Sequence, residues 1–206
     1  MTCTVILARH GESELSAAGV VSGDPDEPRG LTEIGRGQAR RLGELVADEP
    51  IELCVTSEFV RVRETADVAL AGRDVPRLVI PELNDVRFGE FEGRPFDEYR
   101  AWAGARDPTE APPGGESRAE VAARYVRGFR LVLARPERLI LVVAHGLPLR
   151  YTLLALQGLD PTPIVEQVPL AEPYRLSRAD LKHAIDRLER WSQAPIWAGF
   201  DSERRG

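Results

Sequence analysis

Residues 4–8, T-V-I-L-A, form an apolar run without polar alternation, short enough for a strand and too uniform for a half-exposed one. Such a strand is buried on both faces, which calls for helices above and below it and favours a parallel sheet. The run then breaks into Arg9, His10, Gly11 and Glu12. The second half of the chain repeats the pattern at 139–146, where L-I-L-V-V-A is followed by His145 and Gly146.

Between and after these runs, strands alternate with helical periodicities. A helix is predicted over 32–48, with Thr32 as N-cap and Ile34, Ala39, Leu42, Leu45 and Val46 on its apolar face. Strands are predicted over 52–56, 77–80 and 173–177, and helices over 59–70, 96–105, 117–134, 149–156 and 178–191. This order implies βαβ crossovers and an α/β fold, a three-layer α/β/α sandwich with a mainly parallel central sheet. At 206 residues, one domain over 1–206 is expected, with an irregular cap or loop region at about 84–116 and a C-terminal tail from about 192 to 206 carrying Trp197 and Phe200.

Composition narrows the functions. A net charge of −6 disfavours nucleic acid and acidic membrane surfaces as partners. No apolar run approaches the roughly 20 residues needed to span a bilayer, and the start lacks signal-peptide character, so a cytoplasmic location is expected. Cys3 and Cys54 lie in strand-like runs without metal-ligand spacing and read as reduced core residues. Of 27 basic residues, 26 are arginine, so an individual arginine gains meaning only from its position.

In open parallel sheets, ligands bind beyond the carboxyl ends of the strands. Both His-Gly pairs fall there, whereas the remaining histidine, His183, sits on the amphipathic helix near the C-terminus and reads as solvated. Glycine after each histidine allows a sharp turn and close approach to a bound group. Arg9 adds a planar five-donor fork, and a phosphate ester suits two imidazoles and a guanidinium. No zinc motif, G-x-S-x-G elbow, P-loop or dinucleotide pattern is present. Cys3 and Arg9 have the spacing of thiolate phosphatases, but a strand rather than an amide cradle separates them. Histidine remains as the nucleophile.

The ordered blocks R-H-G-E at 9–12, L-T-E-I-G-R-G-Q-A at 31–39, T-S-E-F-V-R-V-R-E-T-A at 56–66, L-N-D-V-R-F-G-E-F-E-G at 83–93 and V-A-H-G at 143–146 resemble the histidine phosphatase superfamily, which includes phosphoglycerate mutases and many phosphomonoesterases. The resemblance covers nearly the whole chain and implies a phosphoglycerate mutase-like fold. It implies that His10 becomes phosphorylated, that Arg9, Arg61 and His145 hold the phosphoryl oxygens, and that Asp85 is the proton donor. Gly11, Glu12, Ser16 and Gly146 are auxiliary candidates.

The family's acid is often glutamate, so Glu82 and Glu90 stand as alternatives to Asp85. Ser16 occupies a position where the family often has asparagine, and Arg63 competes with Arg61. The residues Phe88, Phe91, Phe96, Tyr99 and Trp102 flank the acid loop, as a cover for an apolar leaving group or as core.

Neither a metal nor a cofactor is expected, and the partner is a small phosphorylated metabolite, with a homodimer left open. Mutases of the family are generally longer, with a basic insertion after the acid loop. Here residues 94–113 carry three arginines against four carboxylates. A phosphomonoesterase is therefore favoured over a phosphoglycerate mutase, and both over a pseudoenzyme that binds phosphorylated ligands or partner proteins.

Overall fold

Strand β1 (Thr4–Arg9) lies inside a five-stranded sheet, between β4 (Leu139–Ala144) and β5 (Tyr174–Ser177). In the computed structural model, which describes residues 4–164 and 166–197, the order continues from β4 to β2 (Leu53–Thr56) and β3 (Arg77–Val79), giving β3-β2-β4-β1-β5. Every pairing is parallel except that of β1 with β5, an antiparallel edge. Cys3 and Phe200 lie outside the described residues; Cys54 is a free thiol in the core.

The two faces of β1 separate its side chains. Val5 and Leu7 join a core with Val121, Tyr125 and Phe129 of α5 (Arg118–Leu133), Leu149 and Tyr151 of α6 (Gly146–Leu156) and Leu181 and Ile185 of α7 (Arg178–Gln193). Ile6 and Ala8 join a second core with Leu42 of α2 (Glu33–Leu45) and Val62 and Ala66 of α3 (Val60–Ala69). Strands β1 to β3 step across the sheet with helices on one face; β4 then returns to the middle and the following helices cover the other. This reversal between β2 and β1 is where an open α/β sheet leaves a crevice for a ligand.

Most predicted elements are present, and the differences have local causes. Helix α6 begins at Gly146 rather than 149, because Pro148 falls in the first turn, where its missing N–H has no helical role. A short helix α1 (Glu14–Ala17) was not foreseen; Ser13 and Ser16 close it as a capping box. In α2, Ile34 is 65% exposed and Leu45 is also exposed, so the predicted apolar face was drawn too wide. The buried face is Gly35, Ala39 and Leu42, because Gly35 packs its backbone against Glu12.

That contact fixes the loop after β1. A Cβ on Gly35 would overlap Glu12 O, and one on Gly11 would lie 2.6 Å from Gly35 O. Residues 192–197 are anchored as well: Trp197 Nε1 donates to Arg106 O at 2.8 Å and Trp191 Nε1 to Ile196 O at 2.8 Å. Gly35→Ala is expected to destabilise the protein by about 2 kcal/mol through overpacking. Ile34→Ala one position earlier is expected to cost less than about 0.5 kcal/mol. Denaturant midpoints of the two variants, measured side by side, check the close backbone approach.

Candidate active site

Parallel register places Arg9 opposite Ala144, so the next residues, His10 and His145, emerge side by side at the carboxyl edge. The His10 amide donates to Ala144 O at 2.9 Å, and the two rings meet edge to face with centroids 5.4 Å apart. Both imidazoles are buried. Gly11 O, which can only accept, lies 2.7 Å from His10 Nδ1. The proton therefore sits on Nδ1, and Nε2 carries a lone pair, which accepts from Arg61 Nε at 3.3 Å.

Helix α3 supplies the next group. Arg61, in its first turn, is only 6% exposed, and its Nε lies 3.3 Å from His10 Nε2. Its Nη2 donates to Ser22 O at 3.0 Å and Asp85 Oδ2 at 3.1 Å, and the guanidinium lies 4.3 Å over the Phe59 ring. Thr65, one turn on, accepts from the Gly11 amide at 3.0 Å and donates to Arg61 O at 2.7 Å. A single hydroxyl thus ties the loop after β1 to the helix that carries Arg61.

Arg9 approaches from the other side. Its Nη1 donates to Gln167 Oε1 and Val168 O, both at 2.9 Å, while its buried Nε has no protein partner. A Cβ on Gly146 would lie 3.4 Å from that Nε, so glycine leaves the donor unobstructed. Gly146 and Leu147 open α6 in the cavity wall, which adds the positive end of an 11-residue helix.

His145 is held at both nitrogens: Ser57 Oγ lies 2.9 Å from Nε2, and Asp85 Oδ2 lies 3.3 Å from Nδ1. Burial, then Arg61, then the neighbouring histidine and Arg9 hold the His10 pKa well below its ordinary value of 6.5. Burial, followed by Arg61, does the same to His145. With both imidazoles neutral, two guanidiniums face one carboxylate, an excess of positive charge that suits an anion.

Asp85 lines the cavity; Glu82 and Glu90 do not. The Asp85 loop is gripped from behind by Arg124 of α5. Its guanidinium donates to Glu82 O at 3.0 Å, Asn84 O at 2.8 Å and Asp85 O at 2.9 Å, and its Nη2 pairs with buried Glu116 at 2.8 Å. Burial would raise the Glu116 pKa, but Arg124 holds it below the usual carboxylate range.

The auxiliary candidates divide. Ser16 lines the cavity, but its hydroxyl is engaged with Ser13 in the cap. Glu12 turns away and accepts from Thr32 Oγ1 at 2.7 Å, so it supports the loop instead of entering the site. Arg63 and His183 are exposed and outside the cavity. Phe88, Phe91 and Tyr99 are core residues: both phenylalanines meet the Tyr99 ring edge to face, and Tyr99 stacks on half-buried Trp102. Phe88, Tyr99 and Phe96 also present surface to the cavity, whose volume is about 350 Å³.

A sequence profile of the histidine phosphatase superfamily (branch 1) matches residues 5–193. The chain belongs to this superfamily. Within it, the adenosylcobalamin/alpha-ribazole phosphatase of Salmonella typhimurium is 37% identical over 149 residues, covering 68% of this chain and 72% of that one. A 2,3-bisphosphoglycerate-dependent phosphoglycerate mutase of Bartonella henselae is 32% identical over 183 residues, covering 81% and 87%. Among solved structures, a mycobacterial glucosyl-3-phosphoglycerate phosphatase in complex with VO3 superimposes with a TM-score of 0.69 at 30% identity, covering 85% and 92%.

Several contacts of this superfamily member were not singled out from its sequence. Ser57 ends β2 and could have been found by the rule that found the histidines, since it too stands at a carboxyl edge. Ser22, Thr65, Gln167 and the Arg124–Glu116 pair carry no local signal; they meet the site through chain separations of 39 to 158 residues.

The depressed histidine pKa values set a sign. A group whose folded pKa lies well below 6.5 keeps its neutral form at pH 6, where an ordinary imidazole is largely charged. Imidazole 15N spectra of His10 and His145 are expected to remain those of neutral rings between pH 8 and pH 6, with His10 protonated at Nδ1. A His10 midpoint at or above 6.5 would contradict the environment described.

Proposed function

We propose that this superfamily member is a phosphomonoester hydrolase acting on a small phosphorylated metabolite through a phosphohistidine at His10. The observation that carries the proposal is the His10 ring, its Nδ1–H given to Gly11 O and its Nε2 lone pair presented beside Arg61. A neutral imidazole so oriented is a nucleophile at neutral pH.

In the first step Nε2 forms a bond to phosphorus and the ester P–O bond breaks, its electron pair leaving on the alcohol oxygen. Asp85, entering this step as the carboxylic acid, gives that oxygen a proton. Arg9 Nε and Arg61 donate to the non-bridging oxygens, and His145 joins them through Nδ1 as the phosphoryl group takes the place of Asp85 Oδ2 there; charge compensation and positioning lower the barrier. In the second step water attacks phosphorus, Asp85 takes its proton, and the N–P bond breaks with its pair returned to His10. Phosphate is released and the site is restored.

Support for water over a second substrate hydroxyl as acceptor comes from the acidic balance of residues 94–113, which offers little to retain a multiply anionic intermediate. A cavity of about 350 Å³ suits a small metabolite. The named phosphatase relatives are in keeping with hydrolysis; the mutase relatives keep phosphoglycerate mutase as the alternative.

We place the enzyme in the cytoplasm, as a single catalytic unit with residues 84–116 as its cap, working without metal, cofactor or nucleic acid. The acidic charge and the buried free thiol of Cys54 support this. No described helix is long and apolar enough to cross a membrane. A homodimer is compatible with the proposal and not required by it.

Purified protein is expected to release inorganic phosphate from para-nitrophenyl phosphate after exhaustive chelation, and His10→Ala to abolish release. Interconversion of 3-phosphoglycerate and 2-phosphoglycerate without phosphate release would decide for the mutase. Asp85→Asn is expected to lower kcat/KM, which reports phosphohistidine formation and not its hydrolysis, by about 10²–10⁴ for alkyl esters, whose leaving group needs the proton. The loss is expected to be much smaller for para-nitrophenyl phosphate, whose phenolate leaves unaided; equal losses on both would remove Asp85 from the acid role.

A further inference from the structure

One cation in the cavity wall takes no part in the chemistry above. Arg118, the first residue of α5, lines the same cavity as His10, Arg61 and Asp85. Its guanidinium stacks 5.3 Å over the Tyr99 ring, and its Nε is buried without a protein partner. Around it stand the phenols of Tyr99, Tyr125 and Tyr151, the last within reach of the guanidinium, and the Tyr125 hydroxyl is also buried and unpartnered. No carboxylate among the described residues forms an ion pair with it.

This placement has a double cost. A cation in the first turn of a helix opposes the macrodipole, where an anion would be favoured. A buried guanidinium nitrogen without an acceptor adds a desolvation cost. The three phenols do not offset its charge, because burial keeps each protonated, that of Tyr151 with its pKa pushed up to about 12. The cavity's other cations are accounted for differently: Arg9 and Arg61 belong to the phosphate site, and Arg100 is exposed at the rim. The cavity carboxylates Asp97 and Glu166 are exposed as well, the latter facing Arg150 at 3.6 Å.

We propose that Arg118 is a specificity-determining residue, receiving a second anionic group, carboxylate or phosphate, carried by the alcohol portion of the phosphomonoester held at His10. The inference rests on the phosphatase proposal and narrows its substrate class to esters with a second negative charge. The acidic span 94–113 bears on it only indirectly, since Arg118 comes from the helix that follows. One buried cation suits one extra anionic group. Tyr99 forms a flat wall against which the intervening carbon skeleton lies.

Two substrate pairs separate the sources of the second charge: 3-phosphoglycerate with glycerol 3-phosphate for a carboxylate, and glucose 1,6-bisphosphate with glucose 6-phosphate for a phosphate. In at least one pair the wild-type enzyme is expected to favour the more anionic member at least tenfold in kcat/KM. Arg118→Gln is expected to reduce that ratio at least tenfold, chiefly through KM, while hydrolysis of para-nitrophenyl phosphate stays within twofold. Arg118→Lys is expected to retain part of the preference. No preference in either pair, an unchanged ratio in Arg118→Gln, an equal loss on every substrate, or transfer of the effect to Arg100→Gln would each overturn the assignment.

Binding keeps this test independent of turnover. Calorimetric titration of the same four compounds into His10→Ala and into His10→Ala/Arg118→Gln is expected to show the anionic preference in the first protein and its loss in the second. That result in a protein whose wild type releases no phosphate would sink the hydrolase and leave the Arg118 subsite standing. Equal affinities within both pairs would remove the subsite.

Discussion

The parallel pairing of β1 with β4 is the constraint on which the site depends. One register, Arg9 opposite Ala144, decides that His10 and His145 leave the sheet as neighbours. A slip by one residue would point every side chain of β1 to the other helical layer, moving Val5 and Leu7 into the core built for Ile6 and Ala8. The two cores therefore guard the geometry of the histidines more strictly than any contact between them. The sheet's precision is transmitted to the chemistry through two single bonds of chain.

What the sheet brings together is electrostatically costly. Arg61 loses most of its hydration, and burial lowers its pKa against the raising effect of Asp85. Acceptors surround it at Ser22 and Asp85, and an aromatic face covers one side. The buried histidines answer the same field by staying neutral, which makes them lone-pair donors instead of additional cations. Stability and reactivity thus arise from one arrangement: the guanidinium that makes protonation of His10 unfavourable is the group that draws in an anion.

The sequence made legible those parts of the fold whose information is local or periodic. β1 and β4 announced themselves by unbroken apolar runs, and the His-Gly pairs by standing at their ends. Asp85 and Arg61 were reached through ordered blocks of resemblance, because an arginine-rich chain gives no single arginine much meaning. Ile34 misled because hydrophobic periodicity cannot register that α2 packs through the backbone of a glycine. Glu12 misled in a related way: proximity in sequence to His10 placed it near the site, yet the tight turn at Gly11 sends its carboxylate to Thr32. Gln167, Thr65 and Arg124 were hidden because their partners are distant in the chain and their roles exist only after folding.

The grip of Arg124 on residues 82–85, together with its pairing to Glu116, has an architectural consequence. Glu116 also accepts from the Arg87 amide at 3.1 Å, so both stems of the excursion from residue 88 to 115 are fastened to one helix. The carboxylate is mounted on the fixed side of that joint. Lengthening or replacing the excursion changes loop-closure entropy only slowly, by about 0.6 kcal/mol per doubling. A lineage can therefore exchange the roof over the cavity without disturbing the Asp85 carboxylate beneath it, so that the two can vary independently by insertion and deletion.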